Sequence, residues 1–159
     1  MYNIFFIDKI VAESATIKSF YLKRKDNKLI DSYLPGQFIT VRVKLNNEEK
    51  ELIRNYTISD RPGKVYLRLT IKREENGLVS KYFHDVLKIG DSVEISRPAG
   101  NFHLKPGNSK PIVLISGGVG ITPMQSMLEY IAEHEPGKSV FFLHSSLNKT
   151  VQPMLVRLR

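Results

Sequence analysis

The sequence predicts a mixed β and α/β chain: a six-stranded antiparallel Greek-key β-barrel with a capping helix, followed by an incomplete β-α-β unit. Three observations carry this. The first hundred residues alternate apolar and polar side chains in short runs broken by turn chemistry, as half-buried strands do. One segment among them switches to a helical period. After Lys105-Pro-Gly-Asn108 the pattern becomes continuous apolar runs around a glycine-rich turn, as in parallel strands buried on both faces. The expected division is 1–107 and 110–159.

Taken in order, Ile4–Val11 and Ala15–Arg24 are the first two strand candidates. In Gln37–Leu45, Ile39, Val41, Val43 and Leu45 share one face, and Phe38, Thr40, Arg42 and Lys44 the other. Glu51–Ser59 follows. In Val65–Lys72 the inward set is Val65, Leu67, Leu69 and Ile71, and the outward set Tyr66, Arg68, Thr70 and Lys72. Ser92–Arg97 is the sixth strand. Pro35-Gly36, Arg61-Pro-Gly-Lys64, Ile89-Gly-Asp91 and Pro98-Ala-Gly100 mark breaks. Six such strands with one-sided polarity suit a small closed barrel. Val79, Tyr82, Phe83, Val86 and Leu87 form an apolar helical stripe that would plug its end, starting directly after Asn76-Gly77.

Pro111–Ser116 and Ser139–His144 are the apolar strands of the second unit. Between them Gly117-Gly-Val-Gly120 leads into Thr122-Pro-Met-Gln125, which reads as a capping box with threonine at N-cap, proline at N1 and glutamine at N3. Met124, Met127, Leu128, Ile131 and Ala132 supply the helix's apolar face, and Pro136-Gly137 stops it. This β-α-β pattern opens a doubly wound nucleotide-binding unit.

The chain has 159 residues and 18.2 kDa, room for one domain and part of a second. It has no cysteine, which excludes disulfides, thiolate metal sites, cysteine-ligated clusters and a cysteine nucleophile within these residues. His84, His103, His134 and His144 are too dispersed for a local ligand pair, so no metal site is expected. The amino end lacks a basic n-region, and no apolar run approaches a membrane span; a soluble, cytoplasmic protein without membrane contact is expected. A net charge of +8 invites a nucleic-acid reading. The excess is diluted by neighbouring acids, however, and suits phosphate-bearing cofactors equally well.

Three motifs could carry chemistry. Gly117, Gly118 and Gly120, with Thr122 and Pro123, deliver a strand into a helix N-terminus whose free N–H groups can meet phosphate. The third glycine of the dinucleotide fingerprint is absent, so a plain tight strand–helix turn is the alternative. Arg54-Asn55-Tyr56-Thr57 sets a guanidinium and an aromatic ring on one strand face, roughly 7 Å apart. That suits a flat ring system attached to phosphate, and ordinary cross-strand packing is the alternative. Gly77-Leu-Val79-Ser80 enters a helix with a serine in its first turn, able to grip a pyrophosphate or simply to start a helix. Lys72, after Ile71, could add charge beside it.

In this order and spacing the motifs resemble the ferredoxin–NADP reductase superfamily, and within it the FAD/NAD(P)H reductase module of flavohaemoglobins. Pro35-Gly-Gln-Phe38, Ile71-Lys-Arg-Glu74, Gly90-Asp91 and Pro98-Ala-Gly-Asn-Phe102 support the resemblance, which covers about residues 3–150. It implies FAD outside the barrel. Tyr56 would stack on the isoalloxazine and Thr57 lie near its reactive edge, the two residues assigned to catalysis. Arg54, Gly77 and Ser80 would hold the pyrophosphate, with Asn55, Ile71, Lys72 and Val79 beside them. Phe38 occupies an aromatic FAD-contact position. Gly117, Gly118, Gly120, Thr122 and Pro123 would line the NAD(P)H cleft. The implied activity is an oxidoreductase passing hydride from NAD(P)H to flavin N5 and electrons on to a haem or iron–sulfur acceptor. A basic nucleic-acid-binding barrel, or a flavin-binding fragment without catalysis, are the competing readings.

Family members continue for roughly another hundred residues and include a late Cys-Gly-Pro segment. Nothing after Val151 matches, so residues 152–159 read as a foreign end or shifted frame. The expectations that follow are retained FAD binding, weak or lost NAD(P)H binding, and a dimerisation hazard along the truncated sheet edge.

Overall fold

A computed structural model describes residues 1–44 and 51–146. Leu45 of the first alternating run and the segment after Val151 lie outside them. The barrel strands are β1 (Tyr2–Ala12), β2 (Ile17–Lys23), β3 (Phe38–Lys44), β4 (Glu51–Thr57), β5 (Tyr66–Lys72) and β6 (Ser92–Ser96). They pair antiparallel in the order β4-β3-β6-β1-β2-β5. The two edges meet where Ile58 bridges Leu69 and the Ser59 N–H donates to the Arg68 carbonyl at 2.8 Å. That contact closes the barrel.

Alternation puts one side chain in two into the lumen. Phe20, Leu22, Ile39, Val41, Leu67, Leu69 and Ile95 are buried there, each stabilising the fold by roughly 1.5–3 kcal/mol. Thr70 keeps to the outward side of β5 and lines the cleft described below, yet it is not exposed. It is buried because its hydroxyl bonds Ser19 and Ser59, each at 2.8 Å, in a hydroxyl chain across three segments. Val65 precedes β5 and is exposed, not inward.

The capping helix is only half α-helical. α1 (Leu78–Lys81) runs into a π turn over Tyr82–Val86, in which the Leu87 N–H reaches the Tyr82 carbonyl. The wider turn keeps Val79, Phe83 and Leu87, four residues apart, on the barrel and rotates Val86 into solvent. Val86 therefore does not belong to the predicted stripe. His84 Nε2 to the Ile71 carbonyl (2.8 Å), Lys18 to the His84 carbonyl (2.9 Å) and a bidentate Arg73–Asp85 pair fasten this cap.

The second unit is β7 (Ile112–Gly117), α2 (Ile121–His134) and β8 (Val140–Ser145), with β7 and β8 parallel. Leu104, Leu114, Met124, Met127, Leu128 and Ile131 form its core. Three expectations are corrected. The strands are covered on one face only: Val113, Ile115, Phe141 and Leu143 are more than half exposed. Ala132 faces solvent. No capping box forms, because a 3₁₀ turn over Gly118–Gly120 starts the winding early, with Gly120 at N-cap. Thr122 then lies inside the first turn and donates to the Val119 carbonyl at 3.1 Å, while Gln125 turns to Glu129 at 2.7 Å. Among the described residues no helix is long and apolar enough to cross a membrane.

Candidate functional site

A cleft of ≈ 490 Å³ opens between the barrel and the N-terminal end of α2. From β4 come Arg54, Asn55, Tyr56 and Thr57; from β5 and the turn after it, Thr70, Ile71, Lys72 and Glu74. Gly77, Val79 and Ser80 enter from the cap, and Val119, Gly120, Thr122 and Pro123 from the second unit. Twelve of the fifteen residues singled out from the sequence thus share one groove. The other three stand apart from its wall: Phe38 packs against Gly100, Gly117 ends β7, and Gly118 turns the chain at φ +51, which favours glycine.

Strand alternation sends Arg54 and Tyr56 to the same side of β4. Arg54 is exposed, its guanidinium held by a 2.7 Å bond to the Ile53 carbonyl. The Tyr56 ring is half-buried, tilted 60° on the fully buried Phe83 with centroids 5.7 Å apart. A flat, braced aromatic face beside an exposed guanidinium suits a planar ring bearing phosphate. Asn55 accepts from the Thr40 hydroxyl at 2.8 Å. Lys72 pairs with Glu74 at 3.1 Å.

Burial pushes the Tyr56 phenol up to about 12, against a smaller opposing pull from Arg54. The fold thus favours the neutral phenol; its contribution is complete below the ordinary tyrosine value of 10 and is lost as pH rises through about 12. Tyr56→Phe is expected to leave the phenolate absorbance at pH ~10 unchanged. Loss of half a phenolate equivalent there would refute this environment.

Gly77 is required by close approach. A Cβ there would collide with Ser80 Oγ and come within 2.9 Å of Glu74 Cβ. Ser80 Oγ accepts from the Glu74 N–H and donates to the Gly77 carbonyl, each at 3.1 Å. The turn is thereby drawn into a cradle, and Glu74, Gly77 and Ser80 line the cleft.

Sequence reasoning missed Thr70, Glu74 and Val119 as lining residues, although Glu74 belongs to the quoted Ile71-Lys-Arg-Glu74 stretch. It also missed the polar junction behind the cleft. Asp60, 2% exposed, bonds Lys64 at 2.5 Å, and Arg68 bonds Glu129 on α2 at 2.8 Å. Burial alone would raise Asp60, but its hydrogen bond with Glu129 and the charges of Arg68 and Lys64 hold it below the usual carboxylate range. Burial and the bond to Asp60 push Glu129 above that range.

An antiparallel barrel with a capping turn, joined across one cleft to a β-α-β unit, defines the ferredoxin–NADP reductase class. The chain belongs to the oxidoreductase FAD-binding domain family, whose model matches residues 6–104, and its module is of the flavohaemoglobin type. It is 44% identical to flavohemoprotein A of Dictyostelium discoideum over 159 residues, covering 94% of this chain and 40% of that protein. The flavohem-like FAD/NAD-binding domain of Vibrio cholerae nitric oxide dioxygenase superposes with a TM-score of 0.89 at 34% identity, covering 94% of this chain and 65% of that one. Phthalate dioxygenase reductase, described as transferring electrons from pyridine nucleotides to [2Fe-2S], gives 0.82 at 26%, covering 96% and 46%. The chain spans about two fifths of the length of the flavohemoprotein it matches.

Proposed function

We propose that this chain is the flavin-binding part of an NAD(P)H-dependent oxidoreductase that delivers electrons to a haem or iron–sulfur acceptor. The observation that carries the proposal is the single cleft collecting Arg54, Tyr56, Thr57, Gly77 and Ser80 with Gly120, Thr122 and Pro123. Bound FAD would supply the hydride acceptance and single-electron release that side chains cannot perform. The residues supply binding and alignment. Tyr56 offers a ring face that Phe83 keeps from swinging, and Thr57 sets a hydroxyl next to it. Arg54 and the Glu74–Ser80 cradle take the phosphates, Arg54 as the charge and the cradle as the shape. Gly120, Thr122 and Pro123 form the facing wall, where the nicotinamide donor belongs. On this reading the flavin unit spans 1–107 and the nucleotide unit begins at 110.

Purified protein is expected to be yellow and to release about one FAD per chain on denaturation. Arg54→Ala removes a charge-assisted bond of about 1.5–3 kcal/mol, so FAD affinity is expected to fall about 10- to 150-fold. Fluorescence titration of the apoprotein measures this. Colourless protein that binds oligonucleotides tightly, with steep salt dependence, would overturn the reading in favour of a nucleic-acid barrel.

A further inference from the structure

One face of α2 does not pack on its own sheet. Thr122, Ser126, Glu129 and Glu133 recur at i, i+4, i+7 and i+11, a single helical stripe. Thr122 lines the cleft, and the next three residues each engage β5 or the β4–β5 connection before it. Ser126 Oγ, fully buried, donates to the Asp60 carbonyl at 2.6 Å; Glu129 accepts from Arg68 at 2.8 Å; Glu133 pairs with Arg61. Arg68 also donates through Nε to the Ser59 carbonyl at 3.2 Å, and Tyr33 to the Asp60 carbonyl at 3.1 Å. Residues 59 and 60 are separated from Tyr56 and Thr57 only by Ile58, so both cleft walls are anchored at one junction.

We infer that Ser126, Glu129 and Arg68 form a positioning clamp that sets the spacing between the Tyr56–Thr57 wall and the Thr122–Pro123 wall. The inference rests on the proposed flavin site, because alignment of donor and acceptor is what that spacing would govern. None of the three residues lines the cleft; they act through α2 as a lever. Glu129 lies seven residues from Thr122, about 10 Å along the helix, so small rotations at the clamp become displacements at the cleft. The apolar core of α2 packs with β7 and β8, and its Met127 also reaches Gly36 on the barrel side; at the closing edge of the barrel the contacts of α2 are those of the polar stripe.

The absence of cysteine allows clean labelling. Spin labels at Ile4→Cys on β1 and Ala132→Cys on α2, both exposed, report the relation of the two units by pulsed dipolar spectroscopy. The parent is expected to give one narrow distance distribution. Glu129→Ala and Ser126→Ala/Glu129→Ala are expected to broaden it at least twofold, while FAD affinity stays within twofold, because the groups proposed to bind FAD lie on the barrel. Glu129→Gln, which keeps an acceptor for Arg68, should restore most of the narrow distribution. Arg68→Met/Glu129→Met exchanges the ion pair for packed apolar volume and tests the clamp without leaving a buried charge unpaired on either residue. Broadening in this folded pair supports the clamp; a parent-like distribution in both it and Glu129→Ala overturns it. An FAD loss as large as that of Arg54→Ala also overturns it, by making these residues part of the binding site. A parent that binds no FAD would sink the functional reading, and the distances would still decide the clamp.

Discussion

Phe83→Ala is expected to destabilise the fold by about 3–5 kcal/mol, the largest loss among single substitutions near the cleft. Phe83 is completely buried, meets Phe20 edge-on at 5.1 Å, and carries the tilted Tyr56 ring above it. Its removal opens a cavity where the cap meets the barrel and takes the brace from the ring proposed to face flavin. Two readouts should therefore move together: the urea midpoint falls, and the Tyr56 phenol shifts back toward 10 as water enters. Val86→Ala is the informative comparison. A regular α-helix would bury Val86 beside Phe83, whereas the π turn exposes it, so a change within about 0.5 kcal/mol is expected. A loss above ~1.5 kcal/mol at Val86 would contradict the π turn.

That pair of residues also shows where sequence stops informing structure. Strand alternation at Ile39–Val43 and Leu67–Ile71 was readable because one face meets core and the other water, and the chemistry of each residue matches its face. Thr70 keeps the alternation but not the exposure expected of an outward residue: its hydroxyl has partners on Ser19 and Ser59 that only the folded sheet brings together. The Val79–Leu87 stripe fits an α-helix or a π turn equally, since both place 79, 83 and 87 on one side. Apolar runs such as 112–115 declare that residues tolerate burial, not which face is covered, so Val113 and Ile115 were misassigned. The site was more legible than these details. Arg54, Tyr56, Gly77 and Ser80 are local motifs, each set by a strand or turn that its own neighbours define. Asp60, Ser126 and Glu129 carry no such local signal. A lone acid after Ser59 and a serine within a helix acquire meaning only when α2 crosses the barrel's closing edge.

Gly77→Ala is expected to cost about 2–4 kcal/mol and to lower FAD affinity about 100-fold, since small misplacements of binding groups suffice for such losses. The new methyl occupies the space of Ser80 Oγ, and Ser80 is buried, so the hydroxyl cannot retreat to solvent. It must abandon its bonds to the Glu74 N–H and the Gly77 carbonyl, or the turn must open. Either way the cradle loses its shape. Ser80→Ala alone removes the same bonds without the collision, and about 1–3 kcal/mol is expected. The double variant Gly77→Ala/Ser80→Ala relieves the principal overlap, leaving the milder approach of Glu74 Cβ at 2.9 Å. Its loss should therefore fall short of the sum of the single losses by about 1 kcal/mol or more. Chemical denaturation of all four proteins gives that coupling, and flavin titration of the same samples shows whether affinity follows it. Strict additivity would mean that the approach of Glu74 Cβ, and not the overlap with Ser80 Oγ, excludes a side chain at position 77. Coupling in stability without any change in FAD affinity would separate the cradle from the cofactor.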